Sequence, residues 1–178
     1  MALDMEGEFY KLAKDILGKY KNLYKMTAIS PQTGRVAIMG ADNFMVVSSS
    51  ILKDLTKGKE EKAYKTGKKC SKGMFKSLIK EFDEEVENLE SRKMFDLGLA
   101  LSTNTGWGKL ELVKFNGSKN IVRISVKDSI ELKYKKAKHH SLTCGFLAGI
   151  STVCMRKDMV GKVDDIGPKE VVFSFSLE

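Results

Sequence analysis

The chain has 178 residues, of which 42% are hydrophobic and 30% are charged, and it carries a formal net charge of +8. This is the composition of an ordinary globular protein, and without a stretch of about 18 apolar residues it predicts no membrane span. Three widely spaced cysteines predict free thiols, and the acidic N-terminus lacks a signal peptide, so we expect a cytoplasmic protein.

The N-terminal half of the chain is predicted to be mainly helical. Apolar residues at helical spacing predict a helix over 5–24, which is followed by the turn SPQTG and the short strand VAIMG. Asp42 is a good N-cap for a helix running through FMVVSSSILKDL. A longer helix is predicted from Lys59, with another over 86–101.

The segment 51–82 is unusually rich in lysine. It holds ten lysines and no arginine. Such a surface attracts anions, but base readout favours Arg, Asn and Gln, and single-strand binding requires aromatic residues between the basic ones. We therefore interpret it as the solvated face of a helix, and nucleic acid is not an expected partner.

The C-terminal half changes to strand character. GKLELVKF and IVRISV alternate on either side of NGSKN, and an Asn-Gly pair in such a loop predicts a β-hairpin. HHSLTCGFLAGISTVC is predicted to be a helix and KEVVFSFSLE a final strand, and a solvated loop would explain Asp164 and Asp165 between them. The expected class is α+β, with helices packed on an antiparallel sheet in a single domain over 1–178.

The helix in HHSLTCGFLAGISTVC has distinct faces at 100° per residue. Phe146 and Ile150 belong to a bulky core face. Gly145 and Gly149 lie on a face of small residues, which would let a neighbouring backbone approach closely. His140 and Cys144, spaced i and i+4, share a third face.

Three hypotheses apply to His140 and Cys144. The pair could supply two ligands to a metal such as zinc, but Cys154 lies about 15 Å from Cys144 along the axis, too far to join them. Cys144 could act as a nucleophile beside His140, but no orienting acid is identifiable. The third hypothesis, that the cysteines are small buried hydrophobic residues, is favoured. No catalytic constellation is evident.

The order of these motifs resembles the 4-vinyl reductase domain family. The resemblance rests on GWGKLELVKFNGSKNIVRISVKDSIE, HHSLTCGFLAGISTVC and GKVDDIGPKEVVFSFSL, with AYKTGKKCS and VAIMGADNF upstream, and it covers 35–177. LTCGFLAG is also similar to a motif of vesicle-tethering (TRAPP) subunits, which share that fold. The resemblance suggests a stand-alone archaeal or bacterial member, with 1–34 as an N-terminal extension.

The resemblance implies an antiparallel sheet with helices, a homodimer, and a sensory or binding function for an apolar or tetrapyrrole-like ligand. The candidate pocket residues are apolar: Met74, Phe75, Leu78, Phe146 and Ile150. A scaffold subunit without a ligand is the alternative, and a reductase is less favoured because no dinucleotide fingerprint is present.

One departure from the family pattern bears on the metal hypothesis. Many family members have two further cysteines before the last strand, whereas VDDIGPKEVVFSFSL has none. A thiolate cluster around Cys144 is therefore incomplete, unless Asp164 or Asp165 replaces a thiolate as a harder ligand.

Separately, we predict that Trp107 is at least half buried and anchors the hairpin to the helices.

Overall fold

A computed structural model describes residues 27–30, 35–38, 41–44, 58–82, 89–104, 107–129, 131–132 and 140–177. The chain divides into two compact units, Met1–Val46 and Val47–Glu178. The helix predicted over 5–24 lies outside the described residues, and the single domain with its N-terminal extension stays a prediction. Among the described helices, none is both long and apolar enough to cross a membrane.

The first unit contains an antiparallel three-stranded sheet. Its strands β1 (Thr27–Ser30), β2 (Arg35–Ile38) and β3 (Ala41–Phe44) lie in that order. The prediction that Asp42 caps a helix is wrong, because Asp42 lies inside β3, which pairs with β2. Sequence inspection detects only the local capping signal at Asp42. In the fold, pairing with the neighbouring strand outweighs that signal.

The second unit has the α+β architecture that the sequence predicts. Its elements in chain order are α1 (Glu60–Phe82), α2 (Ser91–Asn104), β4 (Lys109–Asn116), β5 (Ile121–Lys127), α3 (Ser141–Met155), β6 (Met159–Ile166) and β7 (Glu170–Leu177). The strands form an antiparallel sheet in the order β4-β5-β7-β6. The hairpin predicted around Asn116-Gly117 is confirmed as β4 and β5.

One strand of this sheet was not predicted. The residues VDDI belong to the edge strand β6 rather than to a solvated loop, and they pair with β7. Asp164 and Asp165 are exposed, so the alternation of apolar and polar residues that marks a strand is weak here. The central strands β5 and β7 show that alternation clearly and bury Val122, Ile124 and Phe173 completely.

The helices α1 and α3 pack at backbone distance. A Cβ atom added at Gly67 of α1 would lie 2.7 Å from the backbone nitrogen of Phe146. A Cβ at Gly145 would collide with the carbonyl oxygen of Tyr64, and one at Gly149 would lie 2.5 Å from the carbonyl oxygen of Lys68. Only glycine allows this approach, and it fixes the position of α3, where 13 of the 15 residues are buried.

Candidate functional site

The three helices of the second unit meet at a cluster of apolar side chains, which we call the helix junction: Phe75 of α1, Gly98 of α2, and Phe146 and Ile150 of α3. A Cβ atom added at Gly98 would lie 2.8 Å from Cε1 of Phe75 and 3.2 Å from Cγ2 of Ile150. Phe75, Phe146 and Ile150 are at most 3% exposed. The junction is therefore an apolar region into which α2 packs through a glycine.

An aromatic stack extends the helix junction towards the hairpin. The ring of Trp107 lies on the ring of Phe146, with centroids 3.8 Å apart and planes 16° apart. Trp107 is only partly exposed. It precedes Gly108, whose φ of 111° favours glycine and whose added Cβ would lie 2.6 Å from the carbonyl oxygen of Lys127. Trp107 thus links the start of β4 to α3.

The predicted pocket residues fall in the core of the second unit. Met74, Phe75, Phe146 and Ile150 are buried, and Phe75 and Ile150 approach each other across Gly98. Leu78 belongs to α1, but its side chain is outside the described part of the structure. The structure thus brings residues from α1 and α3 together at one apolar region.

Two buried hydroxyl groups in this core have no hydrogen-bond partner among the described residues. Thr143 and Ser151 of α3 are fully buried, and within the described residues neither hydroxyl has a partner. The buried Ser102 shows the usual solution, since its hydroxyl donates to the carbonyl of Gly98 at 2.7 Å. Thr143 lies one turn before Phe146 on α3, so its hydroxyl belongs to the same side as the helix junction. Sequence reasoning missed Thr143, because an unsatisfied hydroxyl has no sequence signal.

The beginning of α3 is capped by a carboxylate. Glu131 accepts hydrogen bonds from the backbone N–H groups of Thr143 at 2.8 Å and Leu142 at 3.4 Å. His140 precedes the helix with a left-handed backbone (φ 46°) and is 2% exposed. Glu131 thus satisfies donors that would otherwise be free at this helix end.

The environment of Cys144 disfavours thiolate chemistry. Burial, together with the nearby charge of Glu131, raises the pKa of the Cys144 thiol to about 12. Cys144 faces β6, since a Cβ added at Gly161 would lie 3.0 Å from its sulfur. Before Cys144 could bind a metal ion or attack an electrophile, its thiol would have to lose its proton to a base at this low-dielectric position.

The residues considered as metal ligands are not assembled into a cluster. No group of three His, Cys, Asp or Glu residues suited to a metal occurs in the described ranges. Asp164, considered as a replacement ligand, accepts a hydrogen bond from the Ser174 hydroxyl at 2.7 Å and pairs with Arg123 at 3.0 Å. Its side chain and Gly161, which faces Cys144, lie on opposite faces of β6.

A long-range hydrogen bond joins α1 to the edge of the sheet. The backbone N–H of Gly161 in β6 donates to the hydroxyl oxygen of Tyr64 at 2.9 Å. The two residues are 97 positions apart, so sequence inspection had no basis for pairing them. The bond holds β6 against α1 beside Cys144.

An open groove lies on the opposite, exposed face of α1. It has a volume of about 390 Å³ and is lined by Glu61, Lys62, Lys65, Thr66 and Lys69. Its described lining comes from one helix and is polar or charged. The groove therefore does not correspond to the predicted apolar pocket.

Comparison with known proteins identifies structural relatives only. No family model matches the chain, and no curated protein matches it. The phenol-responsive sensory domain of the transcription activator PoxR, solved with phenol, is 12% identical, with a TM-score of 0.64 over 99% of this chain and 92% of that domain. A trafficking protein particle complex subunit 3 from Naegleria fowleri, covalently bound to palmitic acid, is 9% identical, with a TM-score of 0.50 over 73% of this chain and 89% of that one.

Proposed function

We propose that the second unit is a binding and sensory domain of the 4-vinyl reductase type, which takes a small, mainly apolar molecule at the helix junction. The observation that carries this proposal is the hydroxyl of Thr143, fully buried and without a partner in the described structure. It lies one helical turn from Phe146, whose ring is stacked on Trp107. The ligand that this chemistry favours has an apolar body and one polar substituent.

The energetics of the buried hydroxyl favour a ligand. Leaving a buried hydroxyl unsatisfied costs about 1–3 kcal/mol, because its hydrogen bonds to water are lost and not replaced. A ligand whose polar group reaches Thr143 would recover that cost, while its apolar part gains about 25 cal/mol for each Å² removed from water. Polar groups of this kind set ligand orientation in otherwise apolar sites.

The structural relatives support an apolar ligand. One neighbour is a sensory domain that responds to phenol, and the other carries a covalently attached fatty acid. Phenol combines an aromatic ring with a single hydroxyl, which matches the chemistry at Phe146, Trp107 and Thr143. Phenol is therefore the first probe, with benzene and palmitic acid as comparisons.

We propose binding without catalysis. The raised pKa of Cys144 keeps its thiol protonated at neutral pH, so it is a poor nucleophile. The three cysteines are free thiols, which is consistent with the reducing environment of the cytoplasm. A homodimer, implied by the family resemblance, belongs to the same proposal.

The alternative function is a protein scaffold, which the likeness to a trafficking subunit would suit. A scaffold interface requires a contiguous apolar surface. Among the described residues, the large exposed hydrophobic side chains are Val113, Ile166 and Leu177. Ile166 and Leu177 pair with residues at opposite ends of the β6–β7 ladder, and Val113 is on β4 at the other edge of the sheet. They do not form one patch, so ligand binding is favoured.

The test is a phenol titration followed by Trp107 fluorescence, because Trp107 is the only tryptophan in the chain. We expect saturable quenching and a rise in melting temperature with phenol concentration. Benzene should bind more weakly, because it cannot hydrogen-bond to Thr143. Phenol binding no more tightly than benzene, or no saturable response to either ligand, would contradict the proposal.

Two matched variants separate the ligand contact from packing. Thr143→Val keeps the shape of the side chain and removes a hydroxyl that has no partner among the described residues. The stability without ligand should therefore not fall, whereas phenol affinity should fall about tenfold. Thr152→Val removes a hydroxyl that accepts from Met159 N–H at 3.1 Å and donates to Asp158 at 3.3 Å. It should lower stability and leave phenol affinity unchanged.

A further inference from the structure

The exposed face of α1 carries a straight row of lysines, which we call the lysine ridge: Lys62, Lys65, Lys69, Lys72 and Lys76. At 100° per residue these five positions fall within an arc of about 80°, and at 1.5 Å per residue they extend over about 21 Å. The buried residues of α1, including Ala63, Gly67 and Ser71, lie on the opposite side.

The positive charge of the ridge is only partly neutralised. Lys65 pairs with Glu61 at 2.5 Å, and Lys72 lies 3.8 Å from Asp158. Lys62, Lys69 and Lys76 are exposed, and no carboxylate of the described residues pairs with them. Three ammonium groups therefore face the solvent in a line.

The shape of the ridge indicates the kind of anion that it fits. Its exposed neighbours Thr66, Cys70 and Gly73 are small and uncharged, so the lysines determine the positive charge of this face. The helix beneath lies at backbone distance from α3 at Gly67 and Gly145, and this packing supports it along the side opposite the ridge. A straight row of charges can meet several anions at once when these lie along a line or in a plane, and a flat membrane surface is one such array.

The residue types distinguish a lipid surface from a nucleic acid. The face has no arginine, which would give bidentate contacts to phosphates and bases, and no exposed aromatic residue at 58–76 on which a base could stack. Lysine acts as a compact point charge, and clusters of four to eight lysines on an amphipathic helix are typical of binding to anionic lipids.

We propose that the lysine ridge docks the protein on the surface of a membrane that contains anionic lipids. The contact is electrostatic and peripheral, with lysine ammonium groups at the headgroup phosphates and carboxylates and no residue inserted into the hydrocarbon. Each lysine near the surface strengthens binding about fivefold at moderate salt. The three unpaired lysines together contribute on the order of 100-fold.

The experiment measures cosedimentation of the full chain with phosphatidylcholine vesicles, with and without phosphatidylserine. We expect binding only when phosphatidylserine is present, and its loss at high salt, where the screening length shortens to about 3 Å at 1 M. The variant Lys62→Gln, Lys69→Gln, Lys76→Gln should bind on the order of 100-fold more weakly, and the substitutions keep helix propensity.

A control variant tests whether position or total charge matters. Lys93→Gln, Lys114→Gln, Lys119→Gln changes exposed lysines outside α1 and lowers the net charge by the same amount. It should retain nearly all of the vesicle binding, and circular dichroism should show both variants folded. Equal losses in both variants, or binding to vesicles without phosphatidylserine, would refute the proposal. Tighter binding to duplex DNA or to poly-glutamate than to the vesicles would likewise overturn it in favour of that polyanion.

Discussion

Gly149 and Gly73 lie in two helices of the same unit but meet opposite surroundings. A Cβ atom at Gly149 would collide with the Ser71 hydroxyl and lie 2.5 Å from the carbonyl oxygen of Lys68, whereas nothing lies within 4 Å of a Cβ at Gly73. Gly149→Ala should therefore destabilise the fold by about 1–3 kcal/mol, because backbone atoms must separate. Gly73→Ala should stabilise it by about 0.5–1 kcal/mol through helix propensity.

Urea denaturation of the two variants gives both free energies of unfolding. Because the chemical change is identical, intrinsic propensity contributes equally, and the difference reports the contact at Gly149. Equal shifts in the two midpoints would show that α3 can move away from α1 without cost. Gly149→Leu, a larger substitution, should be more destabilising than Gly149→Ala.

The buried thiol of Cys144 predicts a loss of stability at alkaline pH. Its pKa is raised from 9.0 to about 12 by burial. Between these values the unfolded chain loses the proton more readily than the folded chain, so the free energy of unfolding falls by up to about 1.4 kcal/mol per pH unit for this thiol. Stability measured at pH 8, 9 and 10 should decline less steeply in Cys144→Ala than in the wild type. Parallel curves would argue against the raised pKa.

At the scale of single residues, the sequence predicted which side chains are buried better than it predicted their contacts. The spacing of apolar residues in α3 correctly assigned Phe146 and Ile150 to a buried face, because residues at the helical repeat lie on one side of the helix. The partners of Tyr64 and the missing partner of Thr143 depend on residues far along the chain or on packing. No local pattern encodes such relations, so these two residues of the candidate site were absent from the prediction.

The start of α3 offers a prediction at the scale of an element. Glu131 satisfies the backbone N–H groups of Leu142 and Thr143 from outside the helix. Glu131→Ala should lower stability by about 1 kcal/mol, because those donors lose a charged acceptor near the positive helix end. Glu131→Gln retains an acceptor and should lose about half as much. Thermal unfolding at low and high salt separates the contribution of the Glu131 charge from that of the hydrogen bonds, because salt screens only the charge.

Long elements were predicted more reliably than short ones. The helix from Lys59 and the β4–β5 hairpin carry many periodic residues, and both were found. The four-residue strand β3 has too few residues to establish a period, and its partner β2 determines its conformation. The edge strand β6 has exposed charged residues along its second half, which conceal its alternation.

The whole molecule is predicted to assemble as a homodimer. One chain has a mass of 19.9 kDa, so light scattering should report twice that value. Two-fold pairing is the commonest oligomer, and the dimer would be concentration-dependent if its interface is small. A mass equal to one chain across a wide concentration range would exclude it.

The close approach of α1 and α3 has a consequence for how sequences with this fold diverge. Gly67 and Ser71 in one helix, and Gly145 and Gly149 in the other, form two pairs of small residues, each four positions apart. Larger side chains at the three glycines would collide with the opposing backbone, and Ser71 faces Gly149. Surface positions have no such restriction. Among proteins that share this fold, the spacing of small residues should persist even where overall identity is as low as the 12% found here. Searches that weight this paired spacing should find relatives that whole-sequence comparison misses.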